Sequence, residues 1–133
     1  MNEQEHFDQD IYDESVAEYA RGRKEFELGN YQNALSYFEI SLRLHEHYGT
    51  YYRISKTLTA LGRGADALVA MRKAYICNPR HSEVATAYAE MLVSEGDVQT
   101  AINILNAVIE HNSTYNPAKR LLNEIQERGD FHL

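Results

Sequence analysis

Residues 29–42 read GNYQNALSYFEISL, residues 62–75 read GRGADALVAMRKAY, and residues 96–109 read GDVQTAINILNAVI. Each stretch opens on Gly and places Ala five residues on. A large apolar residue (Phe38, Met71, Leu105) and then a smaller one (Ser41, Ala74, Val108) follow at the same offsets. The glycines at 29, 62 and 96 stand 33 and 34 residues apart, and the alanines at 34, 67 and 101 repeat that spacing. A period of this length marks stacked supersecondary units, because one such unit cannot bury its own apolar face. Inside the stretches the apolar spacing is helical. Leu35, Phe38 and Leu42 fall at i, i+3 and i+7, and Ala101, Ile102, Leu105, Val108 and Ile109 line one face. β-branched residues are too sparse, and turn signals too widely spaced, for strands.

Each repeated Gly lies between two helical patterns, as at a helix C-terminus, where a left-handed residue costs Gly little. Asn30 and Asp97 then offer side chains that can cap the next helix. Each unit therefore reads as a helix, a tight turn and a second helix. The first helices are expected at about 14–28, 48–61 and 81–94, and the second at about 31–45, 64–77 and 97–111. A seventh helix is expected at about 117–128, with Asn116 as cap and Pro117 in its first turn. Its apolar residues Ala118, Leu121, Leu122 and Ile125 fall on one side, which suits a helix closing the end of a stack. Small residues should permit close approach: Ala34, Ser41, Ala67 and Ala74 toward the first helix of their own unit, and Ser55 and Ala89 toward the preceding unit.

The repeated phrase resembles the tetratricopeptide repeat, whose period is 34 residues. The second unit matches best, with Tyr51, Ile54, Ser55, Leu58, Gly62, Ala67, Met71, Ala74 and Pro79 at the family's positions. The third supplies Ala85, Tyr88, Ala89, Leu92, Gly96, Ala101, Leu105 and Val108, but has Ser113 where Pro is usual. The first is degenerate in its first helix, with Glu18 at the aromatic place and Arg21 at the next apolar one, although Gly22, Gly29, Ala34 and Phe38 fit. The resemblance covers about residues 15–115 and implies an all-α fold. That fold is an α-solenoid of three antiparallel helix pairs in a right-handed superhelix, with a C-terminal capping helix. The domain expected from it spans 14–133, with repeats at about 15–47, 48–81 and 82–115 and the cap at about 117–128. Residues 1–13 form an acidic N-terminal tail.

Composition narrows the function classes. The chain has 133 residues, 44% apolar and 25% charged, which suits one soluble globular domain. No apolar run is long enough to span a membrane, and the acidic start is no secretory signal. The lone Cys77, in the apolar run YIC, is expected to be a buried small hydrophobe in a reducing compartment, so the expected location is the cytoplasm. Met1 and an end just past the capping helix are expected of a whole chain, not of a domain cut from a larger enzyme. The net charge of −7 is unevenly spread. Residues 1–14 carry six acids and no Lys or Arg, 15–80 carry ten bases against six acids, and 81–133 carry three bases against eight acids. An acidic total argues against nucleic-acid binding. The polarity of charge along the chain permits a monomer or a weak homodimer.

No enzyme is legible. His45-Glu46-His47 is the densest chemical cluster, but on a helix the two histidines, two residues apart, would point away from each other. His6, His81, His111 and His132 are scattered, and Gly62-Arg63-Gly64 lacks the Gly-Lys-Ser/Thr of a phosphate loop. No cofactor and no metal site are expected. Binding is another matter, because the resemblance implies a concave wall lined by the first helix of each pair. It places Val16, Tyr19, Arg23, Phe26 and Glu27 on that wall in unit one, and Gly49, Tyr52, Arg53, Lys56 and Thr59 in unit two. Unit three contributes Glu83, Thr86, Ala87, Glu90 and Val93. The groove expected from Tyr19, Arg23, Phe26, Tyr52, Arg53, Lys56, Glu83 and Glu90 suits a peptide or protein segment of acidic and aromatic character. Some family members clamp the C-terminal carboxylate of chaperone tails with a Lys/Asn set. That set is missing here, where Tyr19, Arg53, Glu83 and Ala87 occupy most of the matching places.

The expected function is a small adaptor or assembly factor. The alternative is a dedicated chaperone or neutralising partner of one secreted or toxic protein. The acidic tail carries Phe7, Ile11 and Tyr12 on one helical face. It is either a disordered solubilising segment or one that docks on the basic half of its own or a neighbouring chain.

Overall fold

Three of the turns are built alike. In the computed structural model, which describes residues 2–129, Gly29, Gly62 and Gly96 adopt φ of 81°, 76° and 89°. At each one the Gly N–H donates to a carbonyl three residues back: Phe26, Thr59 and Val93, all at 3.0 Å. The next N–H reaches five residues back, Asn30 to Glu25 at 2.9 Å, Arg63 to Leu58 at 2.8 Å and Asp97 to Leu92 at 2.8 Å. This pair of bonds satisfies carbonyls that a helix end leaves orphaned, and it needs a left-handed residue.

Seven helices follow: α1 (Glu3–Glu27), α2 (Tyr31–Leu44), α3 (Tyr48–Ala60), α4 (Gly64–Cys77), α5 (Ser82–Ser94), α6 (Val98–His111) and α7 (Asn116–Glu127). No strand occurs among the described residues. None of these helices is long and apolar enough to cross a membrane.

Six of the seven helices begin and end within a residue or two of where the periodicity puts them. The exception is α1, which begins at Glu3 instead of near residue 14. Its start is a capping box. The Asn2 side chain accepts the Glu5 N–H at 2.8 Å, and the Glu5 carboxylate accepts the Asn2 N–H at 3.0 Å. Two cap expectations also change. The Asn30 side chain donates to the Glu25 carboxylate instead of capping α2. Tyr115, not Asn116, is the residue preceding α7, so Asn116 is already helical, with Pro117 in the first turn. Asp97 caps α6 as expected, through the Thr100 N–H.

The chain gathers into two compact units, Met1–Cys77 and Asn78–Leu133. In the first, α1 packs on α2, α2 on α3 and α3 on α4. Phe38 is wholly buried, and Ala34, Ala67 and Ala74 leave no exposed surface. Full burial of a side chain such as Phe38 contributes about 1.5–3 kcal/mol relative to exposure. Two polar links tie the pairs. Ser41 Oγ donates to the Ser15 carbonyl at 2.8 Å while Ser15 Oγ reaches the Ser41 carbonyl at 3.1 Å. Ser55 Oγ donates to the Ala67 carbonyl at 2.7 Å. Ser55 thus faces α4 of its own pair, not the preceding unit.

The two degenerate repeat positions satisfy each other. Glu18 is buried and bonded to the Arg21 guanidinium, so the missing aromatic is replaced by a paired carboxylate.

In the second unit α5 packs on α6, and α7 packs on both. Ala85, Ala89, Ala101, Leu105 and Ala118 form its sealed interior. Asn112 Nδ2 donates to Ser82 Oγ at 3.0 Å, tying the end of α6 to the start of α5.

Candidate functional site

In the first unit, the expected tyrosines and cations of α1 and α3 form two pairs, Tyr19 with Arg53 and Tyr52 with Lys56. The Tyr19 ring lies 5.6 Å from Phe38, which is buried behind it. Its hydroxyl accepts a hydrogen bond from Arg53 Nε at 3.3 Å. Tyr19 and Arg53 are one repeat apart in the chain, so the bond spans successive first helices. One turn along α3, Lys56 Nζ stands 5.3 Å from the centre of the Tyr52 ring, within cation–π range. Arg23 is exposed on α1. Phe26 does not join this set, because its ring meets Tyr31 of α2 edge-on at 5.2 Å.

Beside Tyr19 lies a cleft of about 220 Å³ between the N-terminal half of α1, the end of α2 and the start of α3. Tyr12, Val16 and Tyr19 line one side, with His45, His47 and Thr50 opposite. Here the expectation for the histidines is corrected. The chain leaves the helix at His45, where φ is −154° and ψ is 113°. The two rings therefore stack, at 6.4 Å, instead of diverging. Tyr12 meets His45 edge-on at 5.2 Å. The His47 Nδ1 accepts the Gly49 N–H at 3.0 Å and so caps α3. Burial, and then the neighbouring His45, push the His47 pKa down, which keeps that acceptor free of a proton. His132 lies outside the described residues.

Beside the cluster, Tyr51 donates to the Glu46 carboxylate at 2.6 Å. That hydrogen bond, then burial and the Glu46 and Cys77 charges, push its pKa up to about 12. Cys77, the last residue of α4, is exposed, not buried as expected. Partial burial and Glu46 raise its pKa, so it stays a thiol. No group of three or more His, Cys, Asp or Glu among the described residues could hold a metal ion.

In the second unit Glu83 and Glu90 are exposed on α5. Glu83 lies near Tyr115, whose pKa is raised by burial and then by that carboxylate. Glu90 borders a cleft of about 390 Å³ between α5 and α7, together with Thr86, Val93, Arg120, Glu124 and Arg128. The Thr86 hydroxyl is buried there without a partner. Sequence reasoning had Thr86 and Glu90 on this face but not the two arginines, because α7 read only as a cap.

The family model described as the tetratricopeptide repeat protein 21 ARM repeat matches residues 19–128. The chain belongs to this family. Comparison with curated proteins finds no match. Solved structures of tetratricopeptide proteins share the fold. The first such domain of Spaghetti (RPAP3), bound to the HSP90 peptide SRMEEVD, superposes with a TM-score of 0.76 at 14% identity, over 87% of this chain and 95% of that one. The Yersinia enterocolitica type III secretion chaperone SycD, in complex with a peptide of the translocator YopD, superposes with a TM-score of 0.74 at 15% identity, over 86% and 94%. YrrB, a tetratricopeptide protein with an unusual peptide-binding site, is 25% identical, with a TM-score of 0.67 over 78% of this chain and 54% of its own. The seven helices fit about three repeats and a capping helix of this α-solenoid class.

Proposed function

We propose that the chain is a non-enzymatic protein-interaction module, an adaptor or assembly factor, that holds a peptide or protein segment on the face of its first helices. The observation that carries this reading is the Tyr19–Arg53 hydrogen bond. It fixes an aromatic ring and a guanidinium side by side across two repeats, with the ring backed by buried Phe38. Rings held in place lose little entropy on binding, and cations arranged beside them orient an acidic ligand. Arg23, Tyr52 and Lys56 extend the set in the first unit, and the second unit by itself exposes the acidic Glu83 and Glu90 on α5. The structural neighbours that hold peptides support the class of partner.

Selection of random peptides on the immobilised chain tests the reading. Enrichment of acidic and aromatic peptides, lost at high salt and on the Arg23→Glu, Lys56→Glu chain, is expected. Enrichment that ignores both changes would refute the groove.

A second reading, a dedicated chaperone of one secreted or toxic protein, draws on the likeness to SycD across nearly all of that chaperone's length. It predicts a single client that is insoluble alone and soluble when co-expressed with the chain. It also assigns the chain to the cytoplasm, where such a client is made.

A further inference from the structure

The start of α1 runs past the helix it packs on. Ser15 pairs with Ser41, and Tyr12 meets His45, the residue at which α2 ends. The turns before Tyr12 therefore have no α2 residue opposite them, and residues 2–10 are all exposed. On the side that faces α2 further along, this overhang carries Phe7 and the half-buried Ile11, four residues apart. Phe7 is 60% exposed. Glu3 and Asp10 flank it on the same face, and among the described residues neither forms an ion pair or a side-chain hydrogen bond. A helix of this length on its own is marginal in water. A bare Phe on an acidic extension is an interaction surface, not a core.

The same unit carries the complementary face. On α4, Val69 and Ile76 lie seven residues apart on one stripe and are 54% and 62% exposed. Arg72 and Lys73 stand between them, exposed, and among the described residues neither forms an ion pair. One surface is apolar with acids beside it, and the other is apolar with bases beside it. The overhang cannot serve its own α4. It is continuous with the rest of α1, which is held along α2 by the Gly22–Phe38 and Ser15–Ser41 contacts.

We propose that the α1 overhang of one copy docks on the Val69–Arg72–Lys73–Ile76 stripe of a second copy. The occupant is a second copy because both halves of the match, apolar and ionic, are on this chain. Each copy presents both surfaces, so a two-fold pair can make the contact twice. The contact is small, so the dimer is weak and salt-sensitive, with a dissociation constant in the micromolar range.

Sedimentation equilibrium of the full chain at low and high salt tests the proposal with two variants. Phe7→Ala with Ile11→Ala removes the apolar part of the overhang while keeping good helix formers, and circular dichroism checks that α1 remains. Arg72→Glu with Lys73→Glu reverses the stripe. The wild-type chain is expected to dimerise at low salt, with at least tenfold loss at high salt, and each variant alone is expected to be monomeric. A monomeric wild type, or a dimer that persists in either variant, overturns the proposal.

Discussion

Gly22 of α1 faces the ring of Phe38 so closely that a Cβ added there would stand 2.6 Å from both Cδ1 and Cε1. Phe38 is wholly buried and cannot swing aside. Gly22→Ala therefore forces the helices apart and is expected to cost about 1–3 kcal/mol, despite the better helix propensity of Ala. Combined with Phe38→Leu, which vacates the space the ring fills, the same change is expected to cost less than it does alone. Urea unfolding of the two single variants and the double variant measures that coupling. Strictly additive costs would mean the contact does not limit the packing of α1 on α2.

Gly62 raises the opposite case. Nothing lies within 4 Å of the place where its Cβ would be, yet its φ is 76°. Gly62→Ala is expected to cost about 1–2 kcal/mol through backbone conformation alone. Gly62→Asn is expected to recover part of that loss, because Asn tolerates the left-handed region. Thermal unfolding of the two variants gives the ranking. Equal stability for all three residues would remove the left-handed turn as the reason for the repeated Gly.

His47 makes stability depend on pH. Its folded pKa lies below the ordinary 6.5, owing to burial and then to His45. As pH falls through 6.5 the unfolded chain binds the proton first. The contribution of His47 is therefore complete above 6.5 and is lost as pH falls through the folded value. The protonated ring can no longer accept the Gly49 N–H at Nδ1. His47→Asn keeps an acceptor at the cap and removes the titration. Urea midpoints measured between pH 7 and pH 5 are expected to fall less steeply in that variant, and parallel curves would discount the cap.

Tyr51 is expected to ionise well above the ordinary tyrosine range. Its pKa is raised from 10.0 to about 12, first by the hydrogen bond to Glu46. A raised pKa stabilises the folded chain below pH 10 and loses that effect as pH climbs from 10 toward 12. Glu46→Gln keeps a hydrogen-bond acceptor but removes the charge, so the latest step of the ultraviolet phenolate titration should move to lower pH. A titration that stays unchanged would assign the late step to another tyrosine.

The helix pairs were readable because the repeat writes each twice over: once in apolar spacing, and again in the Gly that stops the first helix. The start of α1 was not, because residues 2–10 are all exposed and their charge suggested a tail. The signal was there in Asn2 and Glu5, spaced as a capping box. The direction of Ser55 was misjudged because a small residue on a helix can serve either neighbour, and only its bond to the Ala67 carbonyl decides. The histidines lie beyond α2, which ends at Leu44, and His47 is already the cap of α3. At the candidate site, the residue types were legible but their pairing was not. Tyr19 and Arg53 stand one repeat apart, a spacing that puts side chains of successive first helices in contact. Phe26, judged by its place on the face, turns to Tyr31 instead.

The central claim, that the face of α1 and α3 holds a peptide through fixed rings and cations, is tested most directly by one titration. A fluorescent peptide taken from the acidic and aromatic pool is titrated with the wild-type chain and with the Arg23→Glu, Lys56→Glu chain, at low and at high salt. The account predicts saturable binding to the wild type that weakens with salt, and at least a tenfold loss in the variant while its unfolding midpoint is kept. Equal affinity for both folded chains would contradict it and place the binding surface elsewhere.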